Sequence, residues 1–156
     1  FDTLVQKHTV NELVAVLAHE IGHFKCKHIL KMTILSIVST GVMLYIFGRF
    51  IGNQELASAF GVDIASVYAS LIFISILYSP LNSLLSIVTN KLSRVHEYEA
   101  DRFAAKTYGQ PNDLISALKK MSVDQLSHLT PHPVKVLLDY SHPPVLQRIQ
   151  ALREGK

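Results

Sequence analysis

The chain has 156 residues, of which 49% are hydrophobic and only 17% are charged, and its formal net charge is +3. The charged fraction is well below the roughly 25% of soluble domains, and the deficit is local, which favours membrane-spanning segments. The basic residues are scattered and form no aromatic-basic face, so the sequence predicts no nucleic-acid partner. The single cysteine, Cys26, excludes an internal disulfide framework.

The first informative element is a helix predicted over residues 9–28. Thr9 followed by Glu12 is a capping-box signature at its start. Apolar residues then recur at steps of three and four, which is the period of an amphipathic helix. This pattern does not stop at residue 28, although lysines gather there as they do at helix C-termini.

The sequence His-Glu-Ile-Gly-His at residues 19–23 of this helix predicts a zinc site. Residues four apart lie on one helical face, so His19 and His23 can direct two imidazole nitrogens at one ion. A zinc ion held in this way keeps room for a third protein ligand and for a water, whose pKa it lowers towards about 7. Glu20 can accept the proton as that water attacks a polarised carbonyl. Cys26 is interpreted as a packed or lipid-facing thiol, with a metal role as the alternative.

Two uncharged segments follow and predict two transmembrane helices. The first covers residues 32–48, about 17 residues, which is the lower limit for crossing a bilayer as a helix. The second covers residues 64–90, about 27 residues, which is enough even for a tilted helix. A short polar loop separates them. A buried helix of a soluble bundle is the alternative interpretation of the first segment.

Two spans return the chain to the side of the membrane that it left. The zinc helix and the region 91–156 then share one face of the membrane, as a common metal site requires. Basic residues flank the outer ends of the spans, whereas the loop between them carries one basic and two acidic residues. By the positive-inside rule, this distribution predicts that the catalytic region faces the cytoplasm.

A further helix predicted after Asn90 supplies candidates for the third metal ligand. Glu97 and Asp101 are four residues apart and share a helical face. Glu97 is the candidate ligand, and Asp101 is the candidate acceptor that orients a ligating histidine through its other nitrogen. Spacing alone leaves alternatives open: His96 competes with Glu97, and the acidic residues could form a solvated face.

The C-terminal part contains two more predicted helices. Asn112 or Asp113 is predicted to cap the first, which extends to about residue 129. The second begins at Pro144 within the sequence Tyr-Ser-His-Pro-Pro-Val-Leu-Gln-Arg at residues 140–148. Residue type alone makes His142 a capping or surface histidine and Arg148 a surface charge.

Taken together, HEIGH, two hydrophobic spans, HEYEAD and YSHPPVLQRIQAL resemble CAAX prenyl protease 1, a group of integral-membrane zinc metalloendopeptidases in peptidase family M48. The opening Phe-Asp-Thr-Leu is similar as well. The resemblance implies an all-α integral-membrane fold, with a zinc helix, two transmembrane helices and a C-terminal helical catalytic region. It also implies one Zn²⁺ per chain.

The resemblance also assigns roles to individual residues. His19, His23 and Glu97 become the zinc ligands, Glu20 the general base, and Asp101 the support of a ligand histidine. His142 would hydrogen-bond the substrate carbonyl or the developing oxyanion, and Arg148 would organise the site.

The implied partners are the lipid bilayer and a polypeptide substrate, prenylated and of CAAX type for a eukaryotic source. The implied location is a multi-pass protein of the endoplasmic reticulum, or of the inner membrane of a bacterium or archaeon. Members of the family carry further transmembrane helices upstream and a short edge strand that receives the substrate backbone. We therefore expect this chain to be part of a larger protein, to need that N-terminal part, and to be a poor protease alone.

Three other functions compete with this prediction. A membrane quality-control metalloprotease of the HtpX type shares the His-Glu-x-x-His motif, the two spans and the downstream glutamate. An inactive membrane helical scaffold would keep the helices but bind no zinc. A soluble helical bundle with a chance motif would require two separate uncharged segments to be coincidental.

Overall fold

The computed structural model describes the backbone of residues 2–155 and the side chains of residues 5–155. The opening residues 1–4, which contribute to the resemblance, lie outside the described side chains. Residues 2–155 form eight α-helices and no strand. The helices are α1 Asp2–Lys7, α2 Val10–Lys25, α3 His28–Phe50, α4 Gln54–Ala59, α5 Val67–Tyr108, α6 Pro111–Asp124, α7 Pro133–Asp139 and α8 Val145–Glu154.

Helix α2 begins with the predicted capping box. The Thr9 hydroxyl accepts a hydrogen bond from the Glu12 backbone N–H at 3.3 Å, and the Glu12 carboxylate accepts one from the Thr9 N–H at 2.8 Å. The helix ends at Lys25 and does not continue to the next element. Lys27 has a φ of 57°, in the left-handed region, and this breaks the helix before α3 begins at His28. The apolar pattern crosses this break, which is why it did not show in the sequence.

Residues 30–86 form one compact unit that contains most of α3, the short α4 and the first part of α5. Helices α3 and α5 are both long and apolar enough to cross a membrane. None of the most apolar window of α3 is buried, and only 6% of that of α5 is. Such exposure does not fit a core helix of a soluble bundle, whose apolar side chains would be covered by protein.

Helix α5 is continuous over 42 residues, so the predicted separate helix after Asn90 is the end of this same helix. At 1.5 Å per residue it is about 63 Å long, roughly twice the hydrocarbon thickness of a bilayer. Glu97 and Asp101 therefore belong to the same helix as the second apolar segment, in its C-terminal part.

The other compact unit contains the residues up to Ile29 and those from Ile87 onwards. Its core is made of apolar side chains from α2, α5, α6 and α8, namely Ala15, Ala104, Leu114, Ile115, Leu118, Ile149 and Leu152. The predicted cap of α6 at Asn112 or Asp113 was wrong. This helix begins at Pro111, whose fixed φ suits the first turn, and Gln110 precedes it without a side-chain cap.

Gly22 determines how closely α2 and α5 approach. A Cβ atom at this position would lie 3.1 Å from both Cα and O of Ala100 and 3.2 Å from Cβ of Phe103. Only glycine allows this separation without a shift of the α5 backbone. The glycine within the His-Glu-Ile-Gly-His sequence thus brings the histidines of α2 to the carboxylates of α5.

Candidate metal centre

The two motif histidines and Glu97 lie together. His19 and His23 project from one face of α2, with their Nε2 atoms 3.1 Å apart. From α5, Glu97 places Oε1 3.4 Å from His23 Nε2 and Oε2 3.7 Å from His19 Nε2. The three side chains form a group whose potential ligand atoms all lie within 4.8 Å of one another.

These positions fit a tetrahedral zinc ion. Ligand atoms about 2.0–2.1 Å from such an ion are roughly 3.4 Å apart, close to the three distances above. Burial lowers the pKa of His23, and the neighbouring His19 lowers it further, which favours the neutral imidazole that binds metal. Two neutral imidazoles and one carboxylate are a common zinc donor set. The described residues therefore fit the metal that the sequence predicts.

Glu20 is exposed and lies one residue along α2 from the first histidine. It lines a cavity of about 400 Å³ together with His19, His23, Glu97 and His142. A carboxylate that is open to solvent beside a candidate metal site can exchange protons with water or substrate. The structure thus places the predicted general base in the same cavity as the predicted ligands.

Asp101 and Arg148 form a buried support beneath the ligands. Asp101 Oδ1 lies 2.9 Å from His19 Nδ1, the ring nitrogen that faces away from His23. The Arg148 guanidinium donates to both Asp101 oxygens, at 2.8 and 2.6 Å, and its Nη1 lies 2.9 Å from Glu97 Oε2. Burial alone would lower the pKa of Arg148, but the hydrogen bonds to Asp101 and the charge of Glu97 raise it. This arginine therefore stays charged and holds two carboxylates, although its residue type had suggested a surface position.

His142 lies at the entrance of the same cavity. Its side chain is 67% exposed, and its Nε2 is 3.4 Å from Glu97 Oε1. The segment before it is tied to α5, because Asn90 donates to the Leu138 carbonyl at 2.8 Å and Arg94 donates to the Val136 carbonyl at 3.0 Å. An exposed imidazole held beside the cavity is available to a bound substrate.

His96, the alternative third ligand, is absent from the ligand group around His19 and His23. Its ring stacks on that of His28, with the centroids 4.1 Å apart. Sequence reasoning missed two nearby polar residues, His28 and Glu99, which contact each other at 2.9 Å. His28 and His23 do not share a face of an unbroken helix. The sequence would have indicated that His28 lies near the site only if the helix break at Lys27 had been predicted.

Known proteins resemble the chain throughout its length. The family model described as peptidase family M48 matches residues 1–156. The CAAX prenyl protease 1 homolog of Mus musculus is 39% identical over 147 residues, covering 93% of this chain and 31% of the relative. CAAX prenyl protease 1 of Saccharomyces cerevisiae is 32% identical over 167 residues, covering 97% of this chain and 37% of the relative. The crystal structure of S. mikatae Ste24p matches with a TM-score of 0.86 at 30% identity, covering 97% of this chain and 38% of that one.

The site on α2 and α5 has the layout of a His-Glu-x-x-His metallopeptidase centre, in which two histidines of one helix meet a carboxylate from another. The chain belongs to peptidase family M48. The predicted resemblance to CAAX prenyl protease 1 and the predicted all-α membrane fold are confirmed. The chain spans about a third of the length of the curated relatives that it matches.

Proposed function

We propose that this chain carries the zinc-binding centre of an integral-membrane metalloendopeptidase of the CAAX prenyl protease type. The observation that carries this proposal is the group formed by His19, His23 and Glu97 in one cavity with Glu20. Membership of a peptidase family supports the reaction class. When bound, zinc supplies Lewis-acid chemistry that makes water easier to deprotonate and a carbonyl easier to attack.

The side chains of the cavity divide the remaining work. Glu20 accepts the proton of the attacking water and returns it to the leaving amine. His142 donates a hydrogen bond to the carbonyl oxygen as negative charge develops there. Asp101 contacts His19 and Arg148 contacts Glu97, so we assign these two residues the orientation of the ligands and not proton transfer.

Two neighbouring cavities support a polypeptide substrate. A second cavity of about 410 Å³ shares Leu118, Met121, His142 and Arg148 with the one that contains the ligands. The two cavities therefore adjoin at His142, and we propose that an extended polypeptide occupies both. The names of the mouse and budding-yeast relatives contain the words CAAX prenyl protease, and we propose prenylated CAAX polypeptides as the substrate.

Zinc content and peptidase activity of the complete protein in detergent test this proposal. One zinc ion per wild-type chain is expected, little in Glu97→Ala, and a full complement without hydrolysis in Glu20→Ala. Glu55→Ala, a change of an exposed glutamate on α4, is the matched control and should resemble wild type. Full zinc and activity in Glu97→Ala would refute its role as ligand and direct attention to His96 or His142. A wild-type protein without zinc or activity would favour the inactive scaffold.

Substrate preference separates the proposal from an HtpX-type quality-control protease. A farnesylated CAAX peptide should be cleaved much faster than the same peptide without the prenyl group. Equal rates on both, with efficient cleavage of unfolded membrane polypeptides, would favour the quality-control function.

We also propose a multi-pass protein with the zinc site facing the cytoplasm, supported by the distribution of basic residues around the two spans. Single-cysteine variants E55C and R153C, made after Cys26 and any other native cysteine are replaced by alanine, would test this with a membrane-impermeant thiol reagent. The label should reach position 153 from the cytoplasmic side and position 55 from the other side. Labelling of both positions from one side would refute the two-span topology.

A further inference from the structure

His23 contacts a second histidine through the ring nitrogen that does not face the ligand group. His23 Nδ1 lies 3.0 Å from His28 Nδ1, and His28 Nε2 lies 2.9 Å from Glu99 Oε2. The three side chains form a continuous hydrogen-bonded chain from a carboxylate of α5, through the start of α3, to an imidazole of α2. His28 is only 2% exposed, and its ring is held from one side by the parallel ring of His96.

The chemistry of the three groups sets the direction of these hydrogen bonds. An ionised carboxylate can only accept, so the proton of neutral His28 lies on Nε2, next to Glu99. The Nδ1 atom of His28 then has a free lone pair and accepts the proton of His23 Nδ1. His23 is thereby held as the Nδ1–H tautomer, whose remaining lone pair lies on Nε2. This is the atom that faces His19 and Glu97.

On the basis of the zinc site proposed above, we propose that His28 and Glu99 are positioning residues that set the tautomer and ring orientation of His23 for metal binding. A metal-ligating histidine generally donates its other ring N–H to a fixed acceptor, and such partners contribute to metal affinity. His19 has a separate support of another kind, since its Nδ1 lies 2.9 Å from the carboxylate of Asp101. Each ligand histidine thus has its own partner, and the two partners are anchored on different helices.

A second metal ion is the main competing interpretation of this cluster. Ligand atoms of Cys26, His28 and Glu99 also lie within 4.8 Å of one another. However, both ring nitrogens of His28 already have partners at hydrogen-bonding distance, and one would have to leave its partner to bind an ion. We call the hydrogen-bonded chain from Glu99 through His28 to His23 the relay. The relay explains both contacts of His28, whereas a second metal ion explains only the contact with Glu99.

Zinc affinity and the visible spectrum of the Co²⁺-substituted protein test the relay without relying on activity. The complete protein in detergent would be titrated against a chromophoric chelator. His28→Leu is expected to weaken zinc binding by roughly 10- to 100-fold, the usual effect of losing such a partner. Glu99→Gln should weaken it by a smaller factor, and both variants should change the Co²⁺ spectrum because the His23 ring is less well oriented.

Two further variants make these results specific. His28→Gln keeps a carbonyl that can accept from His23 and an amide that can donate to Glu99, so it should recover most of the affinity lost in His28→Leu. Glu55→Gln makes the same chemical change as Glu99→Gln at an exposed site on α4 and should leave affinity and spectrum unchanged. The Glu99 side chain is 41% exposed, so Glu99→Gln should fold even if a change at buried His28 does not.

Zinc affinity within about twofold of wild type in both His28→Leu and Glu99→Gln would overturn the relay. A second zinc equivalent in wild type that is lost in Glu99→Gln would overturn it as well, because His28 would then be a metal ligand. Failure of the proposed function gives a different result. Wild-type protein that binds zinc through an intact relay but hydrolyses no peptide would refute the peptidase and leave the relay standing.

Discussion

Replacement of Arg148 by methionine tests the buried support of the metal centre most directly. The guanidinium makes two hydrogen bonds to Asp101 and one close contact with Glu97. Methionine has a similar length but no charge, so Arg148→Met removes all three contacts with little change in volume. Both carboxylates would then be left without their cation in a site where Asp101 is 2% exposed and Glu97 is 6% exposed.

The expected cost follows from this burial. Removing one partner of a buried ion pair costs about 3–5 kcal/mol of unfolding free energy, because the remaining charge stays out of water. Zinc at the proposed site would supply replacement positive charge next to Glu97, so the loss should be greater in chelator-treated protein than in zinc-loaded protein. Arg148→Lys should fall between wild type and Arg148→Met, since lysine keeps the charge but cannot form the fork to Asp101.

Thermal unfolding of the complete protein in detergent, at a fixed scan rate and with and without chelator, would measure this effect. Arg153→Met, an exposed change on the same helix, is the matched control and should be nearly neutral. Metal-free Arg148→Met within about 1 kcal/mol of Arg153→Met would refute the reasoning. That result would mean that water enters the site or that the carboxylates become protonated at little cost.

Two other predictions concern the frame around the site. Gly22→Ala should destabilise the protein by about 1–3 kcal/mol and weaken zinc binding, because the new Cβ would push against the backbone of Ala100. Gly41→Ala is the control, because a Cβ atom at this helical position would meet no neighbouring atom within 4 Å, and it should be neutral or slightly stabilising. Equal effects of the two changes on stability would contradict the argument that α2 and α5 approach closely at Gly22. The second prediction concerns Glu12, where burial would raise the pKa but hydrogen bonds, the strongest from Lys120, lower it from 4.5 to about 2. The stability advantage of wild type over Glu12→Gln should therefore be complete above about pH 5 and should fall as the pH drops towards 2. The loss should be about 2 kcal/mol, less than the full pKa difference implies, because Lys120 is 41% exposed and solvent screens the pair. A difference in unfolding free energy between wild type and Glu12→Gln that did not change with pH would refute this prediction.

The parts of the site that sequence predicts best are those fixed by local geometry. His19 and His23 share a face because four residues make about one helical turn, and the capping box at Thr9 is likewise a matter of three residues. Glu97 is 74 positions beyond His23, and no spacing rule connects them. Spacing alone left two alternatives to it, His96 as the ligand and a solvated acidic face, and the resemblance to a known family singled Glu97 out. The structure adds the physical reason, which is the close approach of α5 to α2 at Gly22.

Other features could not be predicted from the sequence. Some depend on contacts between residues far apart in the chain, and one depends on a helix break that no residue type marks. His28, five residues after His23, would lie about 140° away from it around an unbroken helix. The break that turns it back depends on a left-handed lysine at position 27, a residue type that does not signal such a conformation. The residue type of Arg148 indicated a surface charge, and only the structure shows its two buried carboxylate partners, Glu97 and Asp101. The helix boundary predicted after Asn90 failed for another reason, since charges begin there without any glycine or proline to end the helix.

The acidic segment of α5 shows how these pieces depend on one another. Glu97 and Asp101 share a face and meet the ligand histidines and Arg148. Glu99 lies about 200° around the helix from Glu97 and reaches His28 instead. One helical turn therefore serves the ligand group directly and supports His23 from another side. A rotation of α5 that improved the contacts of Glu97 and Asp101 would weaken the contact of Glu99 with His28. The two sets of contacts together therefore fix the rotation of α5 about its axis relative to α2. The lack of a side chain at Gly22 permits that setting, so this glycine contributes to metal binding without touching the ion.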